Sequence, residues 1–170
     1  MQYFSLNLSG NGIHLRNQVG NLIGGVLLKS QAESGYRLEL AVGFYAEAKQ
    51  DFELSRWRSC VDNSQHAVEN SGKTVIACFQ PVEKSHNSAK QVIDLIKNEE
   101  ISPDLIDDIK VMIPMLRKLG FEEHLRTGYG DEIMHKSPWE LFNKDDASQA
   151  LEMARKCSII ARKVYEYYFG

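Results

Sequence analysis

Residues Arg56–His86, RWRSCVDNSQHAVENSGKTVIACFQPVEKSH, decide how this chain is read. Two periodic patterns overlap there. Trp57, Val61, Ala67 or Val68, Val75 and Phe79 recur at roughly the spacing of a core-facing helical stripe. On the opposite side, Gln65, Glu69 and Lys73 fall at i, i+4 and i+8, so their side chains leave the helix together. A long amphipathic helix is expected, ended at Phe79 because Pro81 forbids much continuation. A Gln, Glu and Lys line of this kind reads first as a solvated face. Glu69 also stands four residues before Lys73, the favourable order for an ion pair that needs no functional explanation.

Working outward, the segment from roughly Ser34 to Ser55 carries the stripe Ala41, Phe44 or Tyr45, Ala48 and Phe52 and predicts a helix antiparallel to the first. Downstream, Ser88 opens a third helix to Glu99, with Val92, Ile93, Leu95 and Ile96 on its apolar side. Ser102-Pro103-Asp104 opens a fourth, kinked at Pro114 and closed by Leu119-Gly120. Residues 121 to 143 hold Gly128, Gly130 and Pro138 and are expected to be mostly loop, after which Asp145 or Asp146 caps a last helix. Residues 1 to 30 hold five of the twelve glycines and almost no charge. There Phe4, Leu6 and Leu8 alternate with polar residues, Asn11-Gly12 supplies a hairpin turn, and Ile13 and Leu15 alternate again, which predicts a β-hairpin. The expected fold class is all-α, an up-and-down bundle of about five helices over residues 31 to 170, with the small N-terminal β-hairpin of residues 1 to 30 as an appendage.

A length of 170 residues with 43% hydrophobic residues suits one core. The net charge of −3 and pI near 6.0 argue against gripping nucleic acid by bulk electrostatics, so any such contact has to be local. Cys60, Cys78 and Cys157 are widely spaced among apolar neighbours and read as core hydrophobes. The five histidines show none of the short His spacings of a helical zinc site, so no metal or other cofactor is expected. Gly24-Gly25-Val26-Leu27-Leu28-Lys29-Ser30 is no phosphate loop, because Leu28 stands where that loop needs glycine before its lysine. No signal peptide or membrane-spanning run is visible, and a cytoplasmic protein without membrane contact is the default expectation.

The first block and its preceding helix resemble the first half of a HEPN domain. A second block, Arg126 to Ala154, carries Tyr129-Gly130-Asp131, Ser137-Pro138-Trp139 and Asp145-Asp146-Ala147 in the order seen in archaeal-type members of that family. Together the resemblance covers about Ser34 to Tyr168. It implies an all-helical bundle associated with nucleotides, RNA cleavage and toxin-antitoxin pairs, often beside a minimal nucleotidyltransferase partner.

Ribonuclease members of that family carry an Arg followed after roughly four to six residues by a His, which suits a titratable proton shuttle beside a cation that stabilises phosphate charge. Arg126 and His135 occupy the connector but have eight residues between them, and Arg117 and His124 fit the interval with six. Either pair is a candidate catalytic pair. Gln65, Glu69, Lys73, Tyr129 and Asp131 become candidate ligand-binding residues on the same resemblance. His86 reads as a structural residue before the third helix, and His14 and His66 as surface or hairpin residues without a visible partner. The aromatic chain end, Tyr165, Tyr167, Tyr168 and Phe169, together with the apolar hairpin, predicts a homodimer. The function expected is that of one half of a toxin-antitoxin or nucleotidyltransferase-partner module that binds nucleotide or RNA. A metal-independent ribonuclease acting alone and a non-catalytic dimeric scaffold are the alternatives.

Overall fold

The computed structural model describes the backbone of residues 12–83 and 88–170, with side chains from Ser30 onward. Seven helical segments occupy them: α1 (Gly12–Glu53), α2 (Trp57–Ala77), α3 (Ser88–Lys97), α4 (Pro103–Lys118), α5 (Phe121–Tyr129), the single turn α6 (Pro138–Leu141) and α7 (Lys144–Phe169). No strand is present among the described residues.

α1 and α2 form the antiparallel hairpin that their stripes predict. Ser34 on α1 donates its hydroxyl to the Thr74 carbonyl at 3.0 Å, while at the other end Asn63 donates to the Asp51 carboxylate at 2.8 Å. The turn between them is tight: Ser55 takes φ 58° and the Arg56 N–H reaches the Asp51 carbonyl at 2.8 Å. Asp51 is buried and also pairs with Arg56 Nη2 at 2.7 Å.

α2 is the centre of the molecule. α1 and α7 pack along it and α3, α4 and α5 close its remaining sides, so Val61, Ala67, Val68, Val75 and Ile76 are all buried. So is much of the polar line: Gln65 and Glu69 are buried and Lys73 is half-buried. The solvated-face reading is therefore corrected. Periodicity identifies residues that share a side of a helix, but whether that side meets solvent depends on the helices packed against it.

The N-terminal β-hairpin is also corrected. Its second strand, from Gly12, belongs to α1, while its first strand lies outside the described residues. The physical reason is in the chain: Val19, Leu22, Ile23, Val26 and Leu27 repeat at helical spacing, no proline interrupts Gly12–Glu53, and an established helix propagates at one hydrogen bond per residue. The Ile13 to Arg16 alternation is too short to compete. The role assigned to His86 falls on residues outside those described.

Residues 121 to 143, read as loop, hold α5 and α6. α5 opens with Glu122 and Glu123 and closes with Arg126, the charge order that complements a helix dipole. The cap of α7 is Asn143, not Asp145 or Asp146: its side chain accepts from the N–H groups of both, at 2.8 and 3.2 Å, and Asp146 bonds back to the Asn143 N–H at 3.0 Å. The terminal aromatics find partners within the chain. Tyr168 stacks edge-on to Phe79 and accepts from the Ser102 N–H at 3.1 Å, and Tyr167 meets the Ser102 hydroxyl at 2.9 Å. Among the described residues no helix is long and apolar enough to cross a membrane.

Candidate functional site

Two places on either side of α5 gather chemistry. The first is its contact with α2. Arg58, Asp62 and His66 fall at i, i+4 and i+8, a second polar line that leaves α2 toward α5. α5 supplies His124 and Thr127. The buried Thr127 hydroxyl donates to Asp62 Oδ1 at 2.9 Å and lies 3.0 Å from the His124 carbonyl, which pins the short helix to the long one. His66 stacks on Phe44 of α1 with ring centroids 4.9 Å apart, and the His124 ring stands edge-on to His66 at 5.6 Å. Arg58 Nη2 lies 3.6 Å from Asp62 Oδ2, with its guanidinium 5.9 Å above the Trp139 ring. Ligand atoms of Asp62, His66 and His124 all lie within 4.8 Å of one another.

The second place is a groove of about 910 Å³ where α4 ends and α5 begins, lined by Arg117, Lys118, Arg126, Glu122, Glu123 and Asp146 among others. Arg126 pairs with Glu123 at 3.0 Å and lies over the Phe142 ring, and Lys118 donates to Gln149 at 3.1 Å. Arg117 is exposed, and no ion pair is formed by it among the described residues.

Neither expected pair lines the groove as a pair. Arg126 faces the groove, whereas His135 is exposed in a tight turn at φ 52°, and no hydrogen bond or ion pair joins them. Arg117 lines the groove while His124 turns to α2. It is the two arginines, one from each pair, that share a cavity. Tyr129 is exposed at the end of α5. Asp131 bridges antiparallel to Lys136 and accepts from the Met134 N–H at 2.9 Å. Gly130, directly before Asp131, takes φ 84°, where an added Cβ would lie 2.3 Å from the Lys136 carbonyl oxygen, so only glycine makes this turn. The next turn is closed by Ser137, whose hydroxyl and N–H hold the Glu140 carboxyl below the usual carboxylate range.

Gln65, Glu69 and Lys73 form a connected set within α2: Glu69 accepts from Gln65 Nε2 at 2.9 Å and from the Lys73 ammonium. They do not line the groove. His66, without a visible partner on spacing alone, instead meets His124. The sequence does carry a signal for it in the Asp62 to His66 interval of four, an Asp and a His on one face, which a search for His-to-His intervals misses.

The HEPN domain model matches residues 35–166. The chain belongs to the HEPN family. The crystal structure of TT1696 from Thermus thermophilus is similar to this HEPN bundle with a TM-score of 0.56 and 17% identity, over 78% of this chain and 98% of that one. At that identity the likeness concerns the fold. No curated protein sequence matches the chain.

Proposed function

We propose that this HEPN protein is the binding half of a two-protein module with a minimal nucleotidyltransferase, and that it holds a nucleotide or a short stretch of single-stranded RNA by its phosphates. The observation that carries the reading is the convergence of Arg117, Lys118 and Arg126 on one groove. Arginine forks suit phosphate oxygens, and Arg117 carries no competing carboxylate partner among the described residues. Glu122, Glu123 and Asp146 line the same groove, which limits attraction to a few well-placed phosphates and accords with the net charge of −3.

The test is fluorescence anisotropy with a labelled nucleoside triphosphate and a labelled single-stranded RNA. With two or three phosphate contacts, log affinity for the RNA should fall with log salt at a slope of about −1.4 to −2. Arg117→Ala and Arg126→Ala should each weaken binding about tenfold, as loss of a charge-assisted contact does. Binding indifferent to both substitutions would overturn the groove. RNA cleavage in EDTA that is lost in His135→Ala or His124→Ala would favour the ribonuclease reading.

We place a second copy of the chain in the same proposal. Tyr129 at the end of α5, Ile133 and Met134 in the segment that follows, and Trp139 on α6 are exposed apolar side chains, and they offer a surface for self-association. Light scattering should then report twice the 19.3 kDa chain mass. A monomer at micromolar concentration would remove the homodimer from the proposal. Co-elution with the product of a neighbouring minimal nucleotidyltransferase gene tests the module itself.

A further inference from the structure

We infer that Asp62, His66 and His124 form a binding site for one borderline divalent cation of the zinc or cobalt kind, clamping α5 onto α2. Three features support it beyond the presence of the side chains. The ligand atoms already converge within 4.8 Å, and a tetrahedral zinc shell separates its ligands by roughly 3.4 Å, so modest side-chain rotation closes the gap. The set comes from two elements, with Asp62 and His66 one helical turn apart on α2 and His124 on α5, so a bound ion bridges helices. Finally, the shell around the ligands holds them in place: the buried Thr127 hydroxyl orients Asp62 at 2.9 Å, and Phe44 stacks on His66.

Two imidazoles and one carboxylate favour zinc, cobalt or nickel over magnesium or calcium, which prefer oxygen shells. Three protein ligands leave a fourth position for water. All three side chains are partly exposed, so an ion can enter from solvent. One group opposes the site. Arg58, 3.6 Å from Asp62 Oδ2, places a cation beside the carboxylate that the metal would share. Its presence supplies a test that a purely structural cluster would not pass.

The experiment titrates the EDTA-treated full chain with zinc chloride and, separately, with cobalt chloride, read by calorimetry and by the visible absorption of cobalt. One ion per chain is expected. His66→Gln, His124→Gln and Asp62→Asn should each weaken binding more than tenfold, and Thr127→Val should weaken it about tenfold, as loss of a partner outside the ligand shell does. Arg58→Gln should tighten binding, while His135→Ala, which replaces a histidine that is not one of the three ligands, should leave it unchanged. Binding should also weaken as the solution is acidified, because an imidazole must shed its proton to ligate. Zinc should raise the unfolding temperature of the parent chain and of His135→Ala, and not that of His66→Gln. Absence of saturable binding at about 100 μM metal, or binding retained in His66→Gln and His124→Gln, would overturn the site; circular dichroism of those variants confirms that they are folded. None of these readouts depends on nucleotide or RNA binding.

Discussion

Replacing Glu69 by alanine tests the claim that α2 carries a polar network inside the bundle. The Glu69 carboxylate accepts from Gln65 Nε2 at 2.9 Å and from the Lys73 ammonium, and the Lys73 and Glu69 side chains retain only 15% and 10% exposure. Hydrogen bonds to a charged group each contribute about 1.5 to 3 kcal/mol, and breaking a buried pair costs about 3 to 5 kcal/mol because the partner keeps its charge. Lys73 is not fully enclosed and its ammonium can recover some water, so the lower end applies, about 3 kcal/mol. A pair on a solvated face would lose only about 0.3 to 0.5 kcal/mol. Urea unfolding followed by circular dichroism separates the two cases. With a slope near ~2 kcal/mol per molar, the expected loss moves the midpoint down by about 1.5 M with the slope unchanged. Adding Lys73→Met to Glu69→Leu should recover at least ~1 kcal/mol, since the stranded ammonium is then removed. A loss below about 0.5 kcal/mol in Glu69→Ala would refute an internal network and restore the solvated face.

The other expectations rest on separate features. Gly130→Ala forces a Cβ to within 2.3 Å of the Lys136 carbonyl oxygen at φ 84°, so it should cost about 2 kcal/mol or more and speed proteolysis within residues 129 to 138. Burial pushes the Cys60 and Cys78 thiols up to about 11 and Cys157 to about 12, so all three should resist a thiol-specific reagent at neutral pH and react after denaturation. The sign for stability follows: the unfolded thiols ionise near 9.0 while the folded ones stay protonated, so their contribution is complete below pH 9.0 and is lost as pH rises through about 11 to 12. Cys157→Ala should flatten that alkaline decline, and an unchanged profile would count against the thiols as its source. Asn143→Ala removes the acceptor for the Asp145 and Asp146 N–H groups and should lower stability by about 1 kcal/mol, measurable by thermal melting.

Local chemistry wrote several elements plainly into the chain. Pro103 at the first turn after Ser102, the stripe of Leu105, Ile109 and Met112, and the stop after Leu119 place α4, because caps, proline and periodicity act within one helix. The same holds for the α1 and α2 hairpin and for the resemblance to the HEPN family. α5 was legible in principle through its Glu122, Glu123 and Arg126 charge order, but nine residues with Gly120 and Gly130 at the ends also satisfy a loop reading. The N-terminal segment went the other way: alternation over a few residues suggested strand, whereas the helical repeat from Val19 to Leu27 lies within α1.

Only the tertiary structure decided what the polar lines of α2 are for. Spacing shows that Gln65, Glu69 and Lys73 share a side; burial depends on how many other helices cover that side, and here the covering helices enclose Gln65 and Glu69. Spacing likewise could not bring His124 to His66, because 57 residues and two intervening helices separate them and no local pattern encodes which face of α5 meets α2. That meeting follows from Thr127 seeking Asp62, a hydrogen bond that exists only once both helices are packed.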